Sequence, residues 1–228
     1  MEIINEIDTY AFLWFNALHH PFFDSWIYLI SAKWVWVPMY IAILTACIRQ
    51  WGFKKQLFLI IAMFVVALIL ADTSCGSLVR NLIERPRPTN AESGISHLVH
   101  TVNQYTGGSF GFPSCHASNS FMLATLCTLL FRFKPLSFFL FGWAILHSYS
   151  RIYLGVHYPG DILVGGFLGS LIALGIFRLF NRYSDLQTDK PYLHLNAIIY
   201  TEIAIIIGLF IFAKFASAKL LATAMECL

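Results

Sequence analysis

The sequence predicts an all-α integral membrane protein, with six transmembrane helices behind an N-terminal amphipathic helix at the membrane interface. Three observations carry this prediction. Charged residues make up 12% of the chain against 58% hydrophobic ones, with a mean hydropathy of +0.68, whereas soluble domains carry about 25% charged residues. Apolar runs long enough to cross a bilayer core recur along the chain. Short connections bearing Lys and Arg separate them. No linker, low-complexity tract or repeat interrupts the pattern, so residues 1–228 are expected to form a single domain.

Residues 3–18 place Ile3, Ile7, Tyr10, Ala11, Trp14, Phe15 and Leu18 at helical spacing, with Glu6, Asp8 and Asn16 elsewhere. That suits a helix lying on a membrane surface, although Phe12 and Leu13 fall off the stripe. The acidic start has the wrong polarity for a signal peptide. The first span is read as Trp26 to Ile48, whose 23 residues extend about 34 Å as one helix. The second runs from Leu57 to Leu82, the third from His116 to Phe131 and the fourth from Leu136 to Tyr149. Ile162 to Phe180 and Leu195 to Phe215 complete the set. Lys33 falls inside the first span, and the sequence leaves open whether it snorkels or turns inward.

Orientation follows from basic residues near the span ends. Connections 49–55, 132–135 and 178–194 carry Arg49, Lys54, Lys55, Arg132, Lys134, Arg178, Arg182 and Lys190. The other side carries Lys33, Arg80, Arg85, Arg87, Arg151, Lys214 and Lys219. Arg80, Arg87 and Arg151 belong to a candidate site and are not topology signals. The contrast then places those three connections in the cytoplasm and both termini outside. It also brings the end of span two, the start of three, the end of four and the start of five to one outward face.

Those four ends carry three polar clusters. The first is Arg80 to Pro88, where Pro86 and Pro88 stop the helix and leave Arg80 and Arg87 near its end. Guanidinium forks match phosphate oxygens, but alone this cluster reads more readily as a patch for anionic headgroups. The second is Pro113 to Ser120, where Ser114 suits an N-cap and His116 the first turn. A helix N-terminus favours anions, and an ordinary capped helix is the plain alternative. The third is Ser150 to Asp161. His157 and Asp161 are four apart, so the carboxylate can fix the imidazole tautomer and free its other nitrogen. A structural His–Asp pair is the plain alternative here.

Together the clusters argue for phosphoryl transfer. Histidine-rich zinc sites do not normally crowd arginines around the cation. Acyl transfer by Ser114 leaves the arginines unexplained, whereas a transferring phosphoryl group uses them. The net charge of +3 leaves no nucleic-acid footprint. Cys47, Cys75, Cys115, Cys127 and Cys227 show no paired spacing and suit small apolar positions.

The three clusters resemble the signature of the type 2 phosphatidic acid phosphatase family, which shares its active site with vanadium haloperoxidases. That pattern is Lys, six residues, Arg-Pro; then Pro-Ser-Gly-His; then Ser-Arg, five residues, His, three residues, Asp. Here it reads Arg80 to Arg87-Pro88, Pro113-Ser114-Cys115-His116, and Ser150-Arg151 to His157 and Asp161, with every spacing kept. Arg80 stands for Lys and Cys115 for Gly, where a required positive φ would strain the side chain. The resemblance implies metal-independent hydrolysis of a lipid phosphate or pyrophosphate, without a cofactor. His157 is then the nucleophile, forming a phosphohistidine, with Asp161 orienting it and His116 as acid and base. Arg80, Arg87, Ser114 and Arg151 hold the phosphate, and Asp72 and Ser150 support the site. Undecaprenyl pyrophosphate, a lipid A phosphate, and phosphatidylglycerol phosphate or phosphatidic acid all fit. Segment 89–112 is expected to lie over the site as a lid, with His97 and His100 in solvent. An outward-facing site suits a bacterial inner membrane, with the bilayer and its lipids as partners. A lipid-binding or transport protein without turnover is the rival, and its hallmark would be a helix broken within the membrane. The oligomeric state is not legible.

Overall fold

The computed structural model describes residues 2–184, 186 and 195–215. Lys190, Lys219 and Cys227, used in the sequence reading, lie outside them. Within the described residues the chain is helical with no strand, and one isolated bridge pairs Pro86 with Phe110. The helices are α1 (Glu2–Asn16), α2 (Pro21–Ser31), α3 (Val37–Trp51), α4 (Lys55–Thr73), α5 (Arg80–Ile83), α6 (Cys115–Phe131), α7 (Lys134–Tyr153), α8 (Pro159–Tyr183) and α9 (Asn196–Phe215). A π turn over Ser74–Val79 joins α4 to α5 in one apolar helix, Lys55–Ile83. Such turns often sit beside functional residues, and this one immediately precedes Arg80.

The protein is an integral membrane protein. Lys55–Ile83, Pro159–Tyr183 and Asn196–Lys214 are long and apolar enough to cross a membrane. Large side chains on these helices, among them Ile69, Leu163, Phe167 and Phe210, point outward, as lipid-facing residues do. The first span departs from expectation. Trp26 to Ile48 is not one helix: Pro21–Ser31 and Lys33–Trp51 meet at a bend of 68°. Ala32 is extended, and Pro38 in the first turn of α3 has no amide to continue the ladder. Trp36 Nε1 donates to the freed carbonyl of Ile30 at 2.9 Å, which stabilises the break. The last turns of α7 carry His147, Ser148, Ser150 and Arg151, all buried, so that helix is amphipathic at its site end.

Helices α6 and α8 form the tightest pair. Gly165 and Gly169 of α8 rest against the backbone of Ser114 and Ser118, leaving no room for a Cβ. Small residues permit this approach, which brings helix starts and ends into register. The core fills with Met63, Ala67 and Ala71 of α4, Ala124 and Leu126 of α6, and Leu140 and Ala144 of α7.

Helix α1 turns its expected stripe outward: Ile3, Ile7, Tyr10 and Trp14 are all more than half exposed. Apart from Phe15, which packs on Tyr149, its inward contacts come from residues off that stripe. Phe12 is fully buried against Tyr158 and Ile152. Asn16 is buried as well, donating to the carbonyls of Tyr153 and His100 at 2.9 and 3.1 Å.

Candidate active site

The end of α5 and the starts of α6 and α8 converge with the end of α7. The Ser114 amide donates to Asp161 O at 3.0 Å, tying the first turns of α6 and α8 together. Ser114 also caps α6, its Oγ accepting from the Ala117 amide. Pro159 opens α8, so Asp161 falls in its first turn and His157 lies just before it. The four-residue spacing therefore works through a cap rather than along a helix face. Asp161 Oδ2 accepts from the Tyr158 amide at 3.0 Å and lies 3.3 Å from His157 Nδ1. Both side chains are buried.

The carboxylate holds the proton on Nδ1 and leaves Nε2 with the lone pair. Arg87 Nη1 lies 3.2 Å from Nε2 and also donates to Val156 O at 3.0 Å. Burial, then the charges of Arg87, Arg151 and Arg80, hold the His157 imidazole well below its usual 6.5. The ring is therefore neutral at neutral pH. Arg87 is drawn down to about 10 by burial and by Arg80 and Arg151, and stays charged.

Arg80 Nη2 donates to Pro113 O and to Cys115 Sγ, each at 3.2 Å. Arg151 Nη2 donates to Tyr105 Oη at 2.8 Å, and its Nη1 to Ser31 Oγ at the break between α2 and α3. The Nε atoms of Arg80 and Arg151 have no protein partner among the described residues. Cys115 begins α6 and is absent from the positive-φ residues, so the departure from Gly costs no backbone strain. His116 is half-buried, with its ring centroid 5.3 Å from that of His147. It lies within electrostatic range of Arg151 and His157.

The two supporting residues sit apart from the His–Asp pair. Ser150 Oγ turns back to its own helix, donating to His147 O at 2.6 Å. Asp72 accepts from Asn119 Nδ2 at 3.3 Å and lines a cavity with Lys33 and His116. Lys33 thus reaches the cavity while remaining exposed.

Other residues escaped the sequence reading. Arg85 Nη1 bridges Asp161 Oδ1 at 2.9 Å and Asp8 Oδ2 at 2.7 Å. It was visible only as a neighbour of Arg87, and nothing in the sequence links it to Asp8. Gly111 packs where a Cβ would lie 3.2 Å from Asp161 Oδ2 and 3.1 Å from Arg87 Cγ. Segment 89–112 does cover the site, through Tyr105, Gly107 and Gly111. His97 is exposed, but His100 is half-buried, stacked on His19 and 3.2 Å from Asp24. His147 had a signal, since it stands one helical turn before Arg151.

Comparison with known proteins agrees with this architecture. The PAP2 superfamily model matches residues 57–185. A lipid A 4'-phosphatase of Bacteroides thetaiotaomicron is 40% identical, covering 93% of this chain and 98% of its own length. One from Porphyromonas gingivalis is 34% identical over 79% of this chain and 75% of its own. An undecaprenyl-diphosphatase of Bacillus subtilis is 36% identical over 52% of this chain and 54% of its own. The crystal structure of a phosphatidylglycerolphosphate phosphatase from Bacillus subtilis shares the fold, with a TM-score of 0.61 at 20% identity, covering 80% of this chain and 88% of that one. With its motif residues gathered and its family model covering more than half its length, the chain belongs to the PAP2 superfamily.

Proposed function

We propose that this protein hydrolyses a phosphate ester of an envelope lipid through a phosphohistidine on His157, with a lipid A phosphate as the substrate class. The observation that carries the chemistry is His157 itself. Its Nδ1 faces a buried carboxylate, and its neutral Nε2 faces a guanidinium. A phosphate entering the site takes over Arg87, which frees the Nε2 lone pair for attack on phosphorus. Arg80, Arg87, Arg151 and the Ser114 end of α6 hold the equatorial oxygens, where negative charge spreads in the transition state. His116 gives a proton to the departing ester oxygen as the P–O bond breaks. It then takes a proton from the water that attacks the phosphohistidine, and that attack restores His157 and releases inorganic phosphate. These residues supply charge and proton transfer without a metal ion.

The substrate class rests on the relative at 40% identity, whose match runs nearly end to end in both chains. We further read the chain as one domain of six crossings, taking α2 with α3 as the first. Connections 49–55 and 132–135 then face the cytoplasm and the site faces outward, in a bacterial inner membrane.

The rival reading, transport or lipid binding without turnover, gains one observation in the bend at Ala32. That bend has a role in the site, because it presents Ser31 to Arg151. One assay separates the two readings. Phosphate release from a lipid A phosphate in detergent is expected to fall at least about a thousandfold in His157→Ala. It is also expected to survive EDTA. Turnover retained by His157→Ala refutes the assignment, and loss in EDTA refutes metal independence.

A further inference from the structure

A cavity of about 740 Å³ opens between α3, α4, α6 and α7. Most of its wall is apolar, with Leu44, Ile61, Val65 and Leu68 among the lining residues. Lys33, Asp72, His116, Asn119, Ser120 and His147 also line it. His116, the proposed donor to the leaving oxygen, therefore opens onto the space that a leaving group would occupy.

The polar lining is rich in acceptors. Asn119 Nδ2 donates to Asp72 Oδ1, and Asn119 Oδ1 is buried with no protein partner among the described residues. Ser120 Oγ donates to His116 O at 2.7 Å and lies 2.9 Å from His147 Nδ1. The Ser120 Oγ–Nδ1 contact serves either tautomer of His147, and Nε2 is the ring's remaining polar atom. That atom is buried without a geometrically complete hydrogen bond among the described residues, in a side chain only 4% exposed. The Ser31 backbone carbonyl also approaches this ring and is its acceptor when Nε2 carries the proton. Trp143 stacks on the ring, with centroids 5.4 Å apart and planes 10° apart, and fixes its direction. Buried acceptors left open are costly unless a ligand supplies donors. A polyprenyl chain has no O–H or N–H to offer. A sugar ring with hydroxyl and acylamino groups has several, and acyl chains attached to it suit the apolar wall.

We infer that Asn119, His147 and Asp72 form a leaving-group subsite for an acylated sugar, so that the enzyme selects sugar-phosphate lipids over polyprenyl phosphates. The inference rests on the hydrolytic reading above and gives its specificity a location. The test compares kcat/KM for an acylated glucosamine 4-phosphate, phosphatidylglycerol phosphate and undecaprenyl phosphate in one detergent. The wild type should favour the sugar lipid over the polyprenyl phosphate by about tenfold or more, since sites built around hydrogen bonds discriminate strongly. Asn119→Leu and His147→Phe should each lower that ratio at least about tenfold, whereas His147→Gln, which keeps an acceptor, should restore part of it. A wild type that favours the polyprenyl phosphate overturns the inference without recourse to any variant. So does an equal or greater preference for the glycerolipid, or a ratio unmoved in well-folded variants. His157→Ala is run beside them: if it still releases phosphate, the hydrolytic reading has failed. If it is inactive while the ratio stays flat, only the subsite has failed.

Discussion

One guanidinium nitrogen of Arg85 serves two carboxylates, Asp8 and Asp161. Asp8 also accepts from the Gly160 amide at 2.7 Å, so α1 is tied to the first turn of α8 beside the carboxylate that holds His157. Arg85 lies 3.9 Å over the Tyr158 ring, which limits its freedom further. The buried imidazole has a measurable consequence. An unfolded histidine titrates near 6.5 and the folded His157 well below it. Between those values the unfolded chain binds a proton that the folded chain refuses, so stability falls as the pH drops below about 7. His157→Asn removes that dependence. Its melting temperature in detergent, relative to the wild type, is expected to rise as pH falls from about 7 to about 5. A difference that stays flat over this window would show that His157 is not held neutral.

At the scale of elements, the α6–α8 contact sets the distance between the Ser114–His116 cluster and the His157–Asp161 cluster. Gly169 lies against the Ser118 backbone, so a larger side chain must push the helices apart. Gly169→Val is expected to lower the melting temperature by about 5 °C or more and to reduce phosphate release at least tenfold. Gly175, with open space around it, is the matched control, and Gly175→Ala should change neither quantity. Equal behaviour of the two variants would sink the argument. Helix α1 shows what periodicity records and what it misses. The stripe is present and exposed, as a surface helix requires, while the buried contacts of Phe12 and Asn16, which lie off it, were not legible from spacing. The bent first span teaches something similar. Hydropathy detects an apolar run, but Pro38 and the extended Ala32 decide whether it stays straight.

At the scale of the whole molecule, the proposed orientation makes a labelling prediction. Asn90→Cys should react with a membrane-impermeant maleimide in intact cells, and Lys54→Cys only after the membrane is breached. The native cysteines among the described residues are buried apart from the half-buried Cys115, so the parent protein supplies the background. The opposite pattern would put the site in the cytoplasm.

Much of the site was legible because its parts lie close to span ends. Alternating spans must return their odd and even ends to opposite faces, so Arg80, Ser114, Arg151 and His157 were bound to share one. Apolar runs and proline stops therefore pointed, from the sequence alone, to the helical class and to a shared face, and the residue types in the clusters pointed to the chemistry proposed for them. Contacts between residues far apart in the chain were decided only by the tertiary structure. Asp8 reaches Arg85, Ser31 reaches Arg151 at a break, and Asn119 and His147 open onto one cavity. A sequence pattern records which face of a helix is apolar. Which side chain meets which across two helices depends on their rotation and approach, and here those are set by Gly165, Gly169 and the bend at Ala32.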